Sequence, residues 1–159
     1  MLTITSADPM GPEANLLIAE LGADLMARYP QEDGTGGMTM DEFYAPRHEF
    51  LLACWEGEPA SCCGIRPYPY AEQTHSETHI AEIKRMYTRT HHRGKGIAVQ
   101  VMQELEAFAR KEGYSVIRLE TGVRQPEAIG LYKKMGFAVI PPYAHYVHDP
   151  ESVCMEKQL

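Results

Sequence analysis

Residues 79–98, HIAEIKRMYTRTHHRGKGIA, run from a β-prone stretch into a short loop carrying Arg93, Gly94, Lys95 and Gly96, and then directly into an amphipathic helical pattern. These residue types in this order suit an anion. The first N–H groups of a helix have no intrahelical partner, and the helix dipole adds partial positive charge at that end. Gly94 and Gly96 allow the backbone to approach a ligand closely, while Arg93 and Lys95 supply full charges. The chemistry these features predict is recognition of phosphate or pyrophosphate.

Three glycine patterns can be tested against this loop. The triphosphate loop GxxxxGK[ST], aligned on Gly94-Lys95, would need glycine at Arg89 and a hydroxyl residue at Gly96, so it is excluded. The dinucleotide fingerprint GxGxxG accepts Gly94 and Gly96 but meets Val99 at its third position; Glu120 sits near its ribose-binding offset, so that reading stays open on these residues alone. The pattern [RQ]xxGx[GA] is satisfied in full by Arg93, Gly96 and Ala98. A turn that binds nothing is the plain alternative.

A second segment adds to the third pattern. QPEAIGLYKKMGF, Gln125 to Phe137, reads as a helix ending in LYxKxGF. Together the two segments resemble the coenzyme-A-binding motif and the second motif of the GNAT superfamily of N-acetyltransferases, and the expected element order is similar over essentially the whole chain. The resemblance implies an acyl-CoA N-acyltransferase fold with acetyl-CoA as cosubstrate. It implies that backbone around Arg93, Gly94, Lys95, Gly96, Ile97, Ala98 and Val99 cradles the pyrophosphate, and that the strand edge at Met86, Tyr87 and Thr88 receives the pantetheine arm. An N–H near Met86 would polarise the thioester carbonyl. Lys134 would reach toward the nucleotide phosphates. Gln125 stands where that motif often has Asn.

Transfer to an amine has its own demands. An amine of pKa about 10 is almost wholly protonated at neutral pH, so a base must take its proton and a donor must protonate the leaving thiolate. Glu82 is the candidate base: it lies eleven residues before Arg93, at a position similar to the catalytic glutamate of histone-type relatives. A carboxylate in a mostly apolar strand has a raised pKa; pairing with Lys84, Arg85 or Arg118 is the competing reading. Tyr132 is the candidate acid, against the alternative of a core tyrosine. Cys62 and Cys63 alternate faces of a strand and read as packing. The pairs His75/His79, His91/His92 and His145/His148 come without a CxxC, so no metal site is expected; His91 and His92 flank the phosphate loop.

These residues need a scaffold. Apolar periodicity predicts strands at 2–5, 49–55, 60–66, 79–88, 114–121, 137–140 and 152–156, and helices from Pro12 to Tyr29-Pro30, at 40–45, 96–112 and 126–135. The order predicts a mixed α/β fold: a mostly antiparallel central sheet flanked by helices, with one strand–helix–strand crossover. The 159 residues suffice for one N-acetyltransferase domain, 1–159. With 22 acidic against 15 basic residues and a net charge of −7, the chain has no basic excess for nucleic acid or an anionic membrane. Four cysteines, no leader-like N-terminus and no long apolar run suggest a cytoplasmic protein. The acceptor is expected to be a small amine or amino-acid-like molecule, held by loops 29–40, 67–75 and 141–150 with Tyr68, Tyr70, Tyr143, Tyr146, Glu32, Asp33, Glu72 and Asp149. A coenzyme-A-binding sensor without turnover and a protein N-acetyltransferase are the alternatives; a second copy of the chain, as a homodimer, is a candidate partner.

Overall fold

A computed structural model describes residues 1–70 and 79–159. Seven strands, β1 (Leu2–Ser6), β2 (Glu49–Trp55), β3 (Glu58–Pro67), β4 (Ile80–Thr88), β5 (Val116–Gly122), β6 (Ala138–Ile140) and β7 (Ser152–Gln158), form one sheet in the order β1-β2-β3-β4-β5-β7-β6. Every adjacent pair is antiparallel except β4 and β5, which the crossover helix α2 (Ile97–Lys111) joins in parallel. Helices α1 (Pro12–Arg28) and α3 (Pro126–Lys134) complete the layers. The fold class, element order and crossover are those expected from the periodicity.

Strand alternation sorts the core into two faces. Leu51, Ala53 and Cys63 pack with Ile97, Val101, Met102 and Leu105 of α2 and with Tyr132 of α3. Leu52 and Cys62 pack with Ala14, Leu17 and Leu21 of α1. The adjacent cysteines therefore serve opposite faces, both fully buried, as the packing reading required. Boundaries moved by a few residues. Strand β5 starts at Val116 because Tyr114 instead tucks inward, donating its hydroxyl to the Arg47 carbonyl at 2.9 Å. The segment expected as a loop near 141–150 contains a 3-10 turn at Ala144–His148, with Tyr143 and Tyr146 buried. Glu72 and His75 lie outside the described residues.

Two irregularities shape the centre. On the β3 side, Gly64 opposes Lys84 and Cys62 opposes Tyr87, so Arg85 and Met86 together face the single residue Cys63. This is a β-bulge, and Arg85 takes a positive φ of 61° within it. On the other side, β4 pairs with β5 only at Ile80, Ala81 and Glu82, opposite Val116, Ile117 and Arg118; beyond that the strands part. A Cβ at Gly64 would overlap the Phe43 ring. Gly64→Ala is therefore expected to destabilise the protein by roughly 1–3 kcal/mol, read as a lower urea midpoint with an unchanged slope.

Candidate active site

Where β4 and β5 part, spaces lie on both faces of the sheet. On the α2 side lies a cleft of about 310 Å³ bounded by Met86, Tyr87, Thr88, the 93–99 loop and helix start, and α3. On the other side lies a cavity of about 120 Å³ that reaches Glu32, Lys84, Arg85 and Glu120. Leu21, Met86, Gln125 and Tyr132 line both, so the two spaces are contiguous at the splay.

The cleft has the features of an anion cradle. Gly96 caps α2 with φ 74° and no side-chain cap, leaving the first N–H groups of the helix for another partner. Gly94 (φ 79°) and Gly96 have nothing within 4 Å of where a Cβ would lie, so their backbone is open. Arg93, Gly94, Gly96, Ile97, Ala98 and Val99 all line the cleft. The Arg93 guanidinium is anchored by an Nε bond to the Thr88 carbonyl at 2.9 Å. These residues fit a diphosphate-bearing cosubstrate. Lys95 turns elsewhere: its Nζ sits 5.0 Å from the Trp55 ring centroid and 3.2 Å from His92 Nδ1. Lys134 is exposed and lines neither space.

His91 and His92 flank the loop as expected, and the fold brings Glu58 to both, at 3.0 and 3.2 Å. Their ligand-type atoms lie within 4.8 Å of one another. Arg89 also binds this carboxylate, Nη1 to Oε1 at 2.7 Å, so a cation already occupies it.

Tyr132 is buried at the junction, and its hydroxyl has no hydrogen-bond partner among the described residues. Burial raises its pKa well above the ordinary phenol value, with smaller contributions from Cys63 and Glu120, so the proton is retained. Glu82 sits in a different environment from that expected of a base. It is 0% exposed and lines neither space. Its Oε1 accepts from Arg66 Nε at 3.0 Å and Nη2 at 2.8 Å, and its Oε2 from the Tyr143 hydroxyl at 2.9 Å. The partner is neither Lys84, Arg85 nor Arg118 but Arg66, directly opposite on β3.

A second carboxylate occupies the cavity itself. Glu120, near the end of β5, lines the space and accepts from Ser152 Oγ at 2.7 Å. Burial raises its pKa to about 7; the Ser152 bond and Lys84 oppose the rise, while Glu32 and Asp149 add to it. Nothing local in RLETG distinguishes Glu120 from a solvated strand-end residue. The other contributor missed was α1: Leu21 reads as core, yet it walls both spaces. The end of α1 is held there by Arg28 and Arg124, which each donate to the other's carbonyl at 2.8 and 3.0 Å. Tyr29, next to Arg28, accepts from the Arg124 N–H at 3.1 Å. Of the expected acceptor residues, Glu32 and Asp149 reach the cavity, whereas Tyr68, Tyr143 and Tyr146 pack with Cys154.

Comparison with known proteins agrees with this geometry. The acetyltransferase (GNAT) family profile matches residues 18–137. An IAA acetyltransferase of Azospirillum brasilense is 34% identical over 158 residues, covering 99% of this chain and 98% of its own. A solved structure from Klebsiella pneumoniae, described as that of an acyl-CoA N-acyltransferase, superposes with a TM-score of 0.76 at 31% identity, covering 100% of this chain and 98% of the other. A Salmonella typhimurium protein solved with acetyl-CoA shares the fold, with a TM-score of 0.70 at 18% identity over 99% and 94% of the two chains. The chain belongs to the GNAT acetyltransferase family, and its activity is acetyl-CoA-dependent acetyl transfer.

Gly96→Asp adds a side chain at positive φ and a negative charge at the cradle. It is expected to weaken acetyl-CoA binding by roughly a hundredfold or more in calorimetry, with the thermal transition retained.

Proposed function

We propose that the protein transfers the acetyl group of acetyl-CoA to the primary amine of a small molecule by direct attack within a ternary complex. The observation that carries this reading is the contiguity of cleft and cavity at Leu21, Met86, Gln125 and Tyr132. A thioester seated along Met86, Tyr87 and Thr88 would face an acceptor arriving from the Glu120 side. The acceptor cavity shares Tyr29, Glu32, Asp149 and Glu151 with a surface groove, which offers a route of entry. The full-length relative from Azospirillum brasilense, by its name an acetyltransferase of IAA, also supports a small-molecule acceptor.

Bound acetyl-CoA supplies the activated acyl group. The chain's own residues supply the rest. Backbone N–H groups of Gly94, Gly96, Ile97, Ala98 and Val99, with Arg93, hold the pyrophosphate; Gln125 closes the wall beside the thioester. The backbone N–H of Met86, where β4 leaves β5, stabilises negative charge on the carbonyl oxygen. Glu120, with a pKa raised to about 7, accepts the proton of the incoming ammonium. Tyr132, protonated and without another partner, donates to the departing sulfur. Glu82 acts at one remove: its bonds to Arg66 and Tyr143 tie β4, which carries Lys84, to β3 and to the segment that precedes β7.

Thiol release from acetyl-CoA across a panel of primary amines tests the reading. Acceptor-dependent release is expected; cofactor binding with no release for any amine would favour a sensor. Because Glu120 must be ionised to act, kcat/KM should fall about tenfold per pH unit below about 7. Glu120→Gln should lower the rate by roughly 10²–10⁴-fold and flatten that limb. Tyr132→Phe should lower kcat by roughly tenfold or more with little change in the KM for acetyl-CoA.

A further inference from the structure

Among the described residues two arginines are deeply buried, and they are treated differently. Arg66 is 5% exposed and meets Glu82 and Glu42. Arg85 is 8% exposed, and its guanidinium forms no hydrogen bond or ion pair with any described residue. Its neighbour Lys84 is engaged, donating to the Gly36 carbonyl at 2.8 Å. The bulge places these two successive cations together: Lys84 reaches Gly36, and a Cβ at Gly36 would lie 2.9 Å from Arg85 Nη1. Asp33 acts on Arg85 only through space; its carboxylate is exposed and bonded to Thr35 N and Oγ1 at 2.9 and 2.7 Å.

A buried charge without a partner is costly, and a guanidinium is built to take an oxyanion with two parallel bonds. Arg85 lines the same cavity as Glu120. That space is small, about 120 Å³, and its other ionisable walls include Glu32, Asp149 and Glu151, with Lys84, whose amine is already bonded to the Gly36 carbonyl. With Lys84 engaged by a carbonyl and several carboxylates on the walls, a singly charged planar group suits the Arg85 guanidinium better than a doubly charged phosphate does.

Building on the acceptor cavity proposed above, we propose that Arg85 seats a carboxylate of the acceptor while the acceptor's amine lies toward Glu120. The acceptor is then an amino acid or a similar amino-carboxylate, selected by a positive end and a proton-accepting end of one cavity. Simple monoamines would leave Arg85 unmatched.

The test uses the full chain loaded with coenzyme A and titrates it calorimetrically with L-amino acids and their carboxamides. Wild type should bind at least one amino acid roughly tenfold or more tighter than its amide. That preference should fall at least about tenfold in Arg85→Gln and be partly kept in Arg85→Lys. The affinity for coenzyme A reports that each variant is folded; if Arg85→Gln loses it, Arg85→Lys carries the comparison. Equal binding of acid and amide, an undiminished preference in the variants, or no binding by any amino acid overturns the assignment. Thiol release on the same panel separates the two proposals. Release with amides alone would keep amine transfer and sink the carboxylate seat, whereas acid-selective binding without release would keep the seat and sink transfer.

Discussion

The divergence of β4 from β5 is the constraint on which the rest of this protein depends. Two parallel strands that stayed paired would have sealed the centre of the sheet. Instead pairing ends at Glu82 and Arg118, and the bulge at Arg85 and Met86 adds local twist just beyond. Backbone groups along the parted edges no longer satisfy one another, so they are available to a ligand. The gap also lets side chains from both faces meet, with Tyr132 from the α3 face and Leu21 from the α1 face lining the same junction.

Charge is distributed to match. The acidic excess is partly absorbed in closed groups, in which donors and acceptors are paired. Glu82 sits between Arg66 and Tyr143, and Glu58 gathers Arg89 and two imidazoles. The cavity is the exception. There Glu120 is held by one serine and lifted toward neutrality by burial, and Arg85 is buried without a counter-ion among the described residues. Groups that are fully paired stabilise geometry; groups left short of partners are the ones able to respond to a substrate. That contrast separates Glu82 from Glu120 although both are acidic residues on neighbouring strands.

Much of this was legible in the chain because it is written locally. Alternation and 3.6-residue periodicity located the strands and helices, since each element must bury one face. The loop at Gly94 and Gly96 was legible because glycine spacing, flanking cations and a helix start are all encoded within a few residues. What could not be read were the relations between distant segments. That Arg66 on β3 lies opposite Glu82 could not be read from the chain. Nor could the approach of Trp55, at the end of β2, to the Lys95 amine be read from the chain.

The sequence by itself determined the fold class, the element order, the family and the backbone that can cradle a pyrophosphate, because each follows from short-range patterns of residue type. Only the tertiary structure decided which carboxylate reaches the cavity, which cation is left unmatched and how α1 closes the site. Those outcomes depend on register and on a one-residue bulge. A shift of one position turns a side chain to the other face of a sheet, and no local pattern reports which strand will lie alongside.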